Sequence, residues 1–294
     1  MKKIFIPTIV IVVLLIIISY IKTNTRPPGK ELRIAAGFYP LAEFAGQIAA
    51  DKMEVVNITP TGVEPHDFEP TPRHITLIYS AGIFIYNGGG LDPWADKLKP
   101  SLEKRGIIVI NMLDQIKNLS GNDPHIWLDP VLAAQEVEII RDAMLKADPV
   151  NGQTYIKNAE QYLRKLTELD KKYQDHLSAC TLREAITSHA AFGYLAKRYG
   201  ISLTPIAISP EEEPSAKKMA QLALAARQKN IKYIFFETLA SPRLAETIAA
   251  EIGAKTLVFN PLEGLTAEEK QAGKNYISIM EENLENLRTA LQCP

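Results

Sequence analysis

Residues 154–178, TYIKNAEQYLRKLTELDKKYQDHLS, place apolar side chains at Tyr155, Ile156, Ala159, Tyr162, Leu163, Leu166, Leu169, Tyr173 and Leu177. Steps of three and four sustained over so many turns specify one face of a long α-helix. At about 1.5 Å per residue the helix is a rod of roughly 35–40 Å, long enough to pass from one lobe of a protein to another. What lies on its two sides decides the fold.

Before it, short apolar runs alternate with helical patterns. Strands are expected at 32–38, 55–59, 83–87 and 107–111, and helices at 41–50, 71–80 and 131–146. After it the alternation resumes, with strands at 185–188, 203–208, 233–236 and 256–259. Helices follow near 192–198, 215–229, between the last two strands, and at 275–291. Alternating β and α elements make parallel sheets covered by helices. The fold expected is therefore α/β, two parallel-sheet lobes joined by one long rigid helix. The expected divisions are a leading segment and tether at 1–30, a first lobe at 31–150, the linking helix at 151–179 and a second lobe at 180–294.

The 294 residues are 46% apolar and 23% charged, with a formal net charge of −1. A core of useful size is available, and no clustered basic face exists to bind nucleic acid. Glu211, Glu212 and Glu213 stand between Pro210 and Pro214 and read as a solvated loop.

Lys2 and Lys3 precede an apolar run from Ile4 to Ile21. Eighteen such residues just span a hydrocarbon core, and the flanking lysines keep the amino end inside. The run ends without the small-residue site of a cleaved signal peptide. The expectation is an uncleaved anchor followed by a short tether containing Pro27 and Pro28, with the rest of the chain outside the membrane. If the run is cleaved, the protein is secreted or periplasmic. No Cys stands near residue 20, so no lipid attachment is expected. The only cysteines, Cys180 and Cys293, can form a bond or remain two thiols; the sequence leaves this open.

There are five histidines. Three lie among turn residues where a strand gives way to a helix: His66 in Gly62-Val63-Glu64-Pro65-His66-Asp67, His125 in Asp123-Pro124-His125-Ile126-Trp127, and His189 in Thr187-Ser188-His189-Ala190. Loops beyond the carboxyl ends of parallel strands converge whatever their separation in sequence. Neutral imidazole is a good zinc ligand, and three histidines need one more donor or a water. His74, on a helix, and His176, late in the long helix, are read as structural or solvent-facing.

These stretches resemble the three histidine motifs of the zinc and manganese solute-binding proteins of ABC importers, the cluster A-I family. The resemblance runs from about Leu32 to the C-terminus. It includes Glu211-Glu212-Glu213-Pro214-Ser215, Phe236-Glu237-Thr238-Leu239 and Asn260-Pro261-Leu262-Glu263-Gly264. It implies a binding protein that captures Zn(II) outside the membrane and hands it to an importer permease, working as a monomer and without enzymatic activity. It also implies four metal ligands: His66 and His125 from the first lobe, His189 from the second, and a carboxylate after the last strand, matched by Glu263. Glu237, at the end of the strand through Ile234 and Phe236, is the alternative fourth donor, or else a group that orients a ligand. Glu64 and Asp67 flank His66 as candidate hydrogen-bond partners of ligands. Manganese members typically carry Glu at the third position, so His189 turns the expectation toward zinc. Two features depart from the family. Residues 111–123 contain no His, so the His-rich loop of many zinc members is absent, and the lipid-anchor cysteine is missing.

Three other readings stay open: a manganese-binding homologue, an adhesin on the same fold, and a zinc hydrolase. The hydrolase would need an open coordination position and a base, for which Glu237 is the only candidate. The sequence has neither H-E-x-x-H nor G-x-S-x-G.

Overall fold

The structure, a computed structural model, describes residues 33–294 apart from 118, 120, 122 and 211. The expected anchor and tether lie outside the described residues. Among the described residues no helix is long and apolar enough to cross a membrane.

Strands β1 (Arg33–Ala36), β2 (Glu54–Asn57), β3 (Ile83–Tyr86) and β4 (Ile108–Asn111) form one parallel sheet in the order β2-β1-β3-β4. Ile34 pairs with Val55 on one side and Ile83 on the other. Helices α1 (Tyr39–Ala49), α2 (Pro72–Ser80), α3 (Pro93–Lys104), α4 (Met112–Gln115) and α5 (Pro130–Ala147) belong to this half. β3 reads IFIY and is buried at all four positions, as a strand covered on both faces must be.

The linking helix α6 spans Gly152–Leu177. Its buried residues are Gly152, Tyr155, Ala159, Tyr162, Leu166, Leu169, Tyr173 and Leu177. Ile156 and Leu163 flank that stripe and are half-buried. One face meets α1 and α5, and the same rod meets the second half. There Asp170 accepts a two-pronged hydrogen bond from Arg198 (2.7 and 2.8 Å), and Tyr173 donates to the Met280 carbonyl (2.6 Å).

The second sheet is also parallel, β6-β5-β7-β8, from β5 (Glu184–Thr187), β6 (Ser202–Pro205), β7 (Tyr233–Phe236) and β8 (Lys255–Val258). β6 stops at Pro205, short of the expected residue 208. As an edge strand it tolerates the proline, which has no N–H to lend a neighbour. Helices α7 (Gly193–Tyr199), α8 (Ala216–Gln228), α9 (Arg243–Ile252), α10 (Ala267–Gln271) and α11 (Tyr276–Leu291) complete this half. Cys180 and Cys293 are joined by a disulfide that ties the end of α6 to the end of α11. Of the acidic triplet, Glu211 lies outside the described residues. Glu212 is half-buried and accepts from the Ile208 N–H (2.5 Å), while Glu213 is exposed.

α3 is an element the periodicity did not announce. Pro100 stands inside it, where proline removes a helix hydrogen bond, and its apolar contacts are few: Trp94, Ala95 and Leu102 are buried.

Candidate metal centre

Both sheets reverse strand order beside their first strand, β1 in one and β5 in the other. Clefts beyond the carboxyl ends at such points gather ligands. The chain delivers four side chains there by four different local devices.

His66 lies on a three-residue 3₁₀ turn, Pro65–Asp67, after β2. The Glu64 carboxylate caps the turn by accepting the His66 N–H (3.3 Å). His125 precedes a second 3₁₀ turn, Ile126–Leu128. Asp129 and Pro130 then start α5, the Asp129 side chain accepting from Val131 N–H (2.8 Å). His189 follows β5 by two residues, just ahead of α7. Gly193 opens that helix because the loops close tightly: a Cβ there would stand 2.5 Å from Asp123 Oδ2.

Glu263 follows β8 on the most elaborate loop. Asn260 Oδ1 accepts from the Leu262 N–H (2.7 Å), which steadies Leu262 in the left-handed region at φ +57°. The Asn260 N–H donates to Asn283 Oδ1 (2.8 Å), Asn283 Nδ2 donates to the Asn260 carbonyl (2.7 Å), and Asn260 Nδ2 donates to Glu269 (2.9 Å). All three partners are buried, so each polar group needs its bond.

The four side chains meet. Glu263 Oε1 lies 3.2 Å from His66 Nε2, 3.1 Å from His125 Nε2 and 3.4 Å from His189 Nε2. The Nε2 atoms of His125 and His189 are 3.4 Å apart. One donor atom from each of the four residues falls within 4.8 Å of all the others. His125, His189 and Glu263 are buried and His66 is half-buried. A cavity of about 500 Å³ opens over the histidines, walled mainly by apolar groups such as Pro124, Phe192 and Leu203.

Glu237 stands behind the centre. Its Oε1 accepts from His189 Nδ1 (2.6 Å), from the His189 backbone N–H (3.2 Å) and from the Ser188 hydroxyl. The orienting role fits this placement, and Glu237 is not among the four residues whose donor atoms converge. Of the two acids expected to partner ligands beside His66, Glu64 accepts the His66 backbone N–H and Asp67 is exposed. A second acid that holds a histidine ring carries no role in the sequence expectations. Asp123 Oδ1 accepts from His125 Nδ1 (2.7 Å) and from its backbone N–H (3.0 Å). The signal was present as an acid two residues ahead of the histidine, separated by a proline that forces a turn. His74 closes a capping box with Thr71, and His176 is exposed.

The electrostatics are those of a buried cation site. Burial alone would raise the Glu263 carboxyl, but hydrogen bonds from His125, His189 and His66 hold it well below the usual range. Burial would lower His189, yet its bonds to Glu237 and Glu263 push it up to about 10. His125 is raised in the same way by Asp123 and Glu263 against the effect of burial. Glu64 is pushed up to about 9 by burial and then by the Glu263 charge.

The family described as zinc-uptake complex component A, periplasmic, matches residues 34–290. The high-affinity zinc uptake system protein ZnuA of Bacillus subtilis is 41% identical over 292 residues, 93% of this chain and 92% of that protein. The zinc-binding lipoprotein AdcA of Streptococcus pneumoniae is 38% identical over 285 residues, 90% of this chain but 57% of its own length. The Zn(II)-bound ZnuA-like domain of that AdcA superposes with a TM-score of 0.80 at 41% identity, covering 89% of this chain and 99% of the domain. With the match running through both sheets and all four converging side chains, the chain belongs to the zinc-uptake component A (ZnuA) family.

Proposed function

We propose that the protein captures Zn(II) outside the cytoplasmic membrane and delivers it to an ABC importer, holding the ion with His66 Nε2, His125 Nε2, His189 Nε2 and Glu263. Zinc is the cargo, and the protein performs no chemistry on it. The carrying observation is the spacing of the donors. Zinc bonds of about 2.0–2.1 Å in a tetrahedron require donors about 3.3 Å apart. Four of the six edges of the cluster are 3.1, 3.2, 3.4 and 3.4 Å, and the two between His66 and the other histidines are within 4.8 Å. Three nitrogens and one oxygen suit zinc, whereas manganese prefers oxygen-rich, octahedral sets. Four protein donors fill the tetrahedron and leave no position for a hydrolase substrate.

The remaining parts of the reading concern the whole chain. Residues 31–150 and 180–294 act as the two lobes about a linker at 151–179. Residues 4–21 tether a monomer to the membrane, within reach of the importer permease.

Metal analysis of the purified protein, with Zn(II) and Mn(II) in competition, tests the assignment. One tightly held Zn(II) per chain is expected, with Mn(II) a weak competitor. Full zinc affinity in a His66→Ala/His189→Ala double variant would sink it.

A further inference from the structure

The three histidines are not held alike. His125 and His189 are each pinned from behind by an acid, Asp123 or Glu237. Each acid accepts from the ring Nδ1–H and from the same residue's backbone N–H. An imidazole caught in this way cannot swing without breaking charge-assisted hydrogen bonds, the stronger kind. His66 has no such partner. Among the described residues its ring makes one hydrogen bond, from Nε2 to Glu263, and otherwise meets the His125 and His189 rings at 5.5 and 5.9 Å between centroids. All three histidines border the open cavity, but the His66 side chain is 18% exposed, against 4% for His125 and 0% for His189.

We propose that His66 is the labile donor of the centre: the ion enters and leaves past it, while His125, His189 and Glu263 retain it. This rests on the four-donor reading above. Detaching His66 breaks only its bond to the metal, and its ring passes directly to solvent. Detaching the His125 or His189 ring also breaks its Nδ1–H bond to Asp123 or Glu237 inside a buried site. Zinc tolerates the intermediate, because three protein donors plus a water is a coordination it commonly takes. Release then runs by exchange. A donor atom of the accepting molecule fills the position His66 vacates, and the three retained bonds break afterwards.

The test uses the full-length protein loaded with Zn(II) alone, with EDTA as the acceptor. Equilibrium affinity and the rate of zinc transfer are measured for His66→Ala, His125→Ala and His189→Ala. The His66 variant is expected to keep one zinc, weakened by no more than about 10–100-fold, the scale of losing an outer hydrogen-bond partner, and to release it faster. The other two should lose more affinity than that. Asp123→Asn and Glu237→Gln unpin their histidines and should also speed release. Circular dichroism checks folding, and His66→Gln offers the same comparison if His66→Ala is unstable. Equal losses for all three histidine variants, or no acceleration for the His66 variants, would overturn the lability while leaving the four donors standing. Unchanged affinity in every histidine variant would instead remove the four-donor reading.

Discussion

His125 and His189 each face carboxylates on both ring nitrogens, Asp123 and Glu263 for one, Glu237 and Glu263 for the other. Carboxylates accept from Nδ1–H of both rings and stand 3.1 and 3.4 Å from their Nε2 atoms, surroundings that favour the protonated form in the metal-free protein. Zinc needs the Nε2 lone pair and must displace that proton. Because His189 is pushed up to about 10, the competition extends far above the pH where a free imidazole stops titrating. Zinc affinity should therefore keep rising from pH 6 to 8.5, with about one proton or more released per ion at pH 7.5. Calorimetry in buffers of different ionisation enthalpy reads that proton, and flat affinity with none released would refute the ring states. The metal-free fold should respond oppositely. A raised His stabilises fully below its unfolded value near 6.5, and that stability is lost as pH climbs toward 10. At this scale the sequence was informative about which side chains converge and less so about the acids behind them. Histidines in turns stand out in a chain with five of them and Glu237 stands out at a strand end, whereas Asp123 is one of many acids until its loop turns it onto His125 Nδ1.

Helix α6 was legible almost to the residue because its apolar stripe is regular and every third or fourth position is buried. Helix α3 was not, since Pro100 interrupts it and its exposed face carries lysines. The cysteine pairing was beyond reach for a different reason: it depends on α6 and α11 ending side by side, a juxtaposition that no local pattern encodes. That clasp closes a loop across 113 positions, which in the chain-entropy account contributes about 4–5 kcal/mol. It lies at the entry end of β5, where the Leu182 N–H donates to the Leu291 carbonyl (2.9 Å), while His189 lies beyond the exit end. Cys180→Ser/Cys293→Ser should thus unfold at markedly lower urea and still bind zinc with unaltered affinity. An unshifted midpoint would mean that packing of α11 on α6 already closes the loop.

At the scale of the molecule, the halves are fastened beside the centre. The Trp127 indole N–H donates to the Pro261 carbonyl (2.7 Å), Tyr276 donates to the Trp127 carbonyl (2.5 Å), and the Gly62 N–H donates to the Leu265 carbonyl (2.9 Å). The loop carrying Glu263 is thereby hydrogen-bonded to the half that carries His66 and His125, although it follows the last strand of the other. Two lobes could be read from alternating elements, but Trp127 and Pro261 stand 134 positions apart and nothing in either segment names the other. If this fastening positions Glu263, loosening it must weaken zinc binding without touching a donor. Trp127→Phe keeps an aromatic ring in the core but leaves the buried Pro261 carbonyl unpaired, at a cost of about 1–3 kcal/mol in stability. Zinc affinity should fall, by less than the about 10–100-fold that follows removal of a ligand's own hydrogen-bond partner, because Trp127 acts through the Pro261 carbonyl. Trp94→Phe is the matched control. Trp94 is buried in a separate core, and among the described residues its indole N–H has no hydrogen-bond partner. That variant loses packing alone, so its zinc affinity should stay at the parent value while its stability drops. Equal losses of affinity in both variants would mean that general loosening, rather than the fastening at Pro261, governs how well the fourth donor is held.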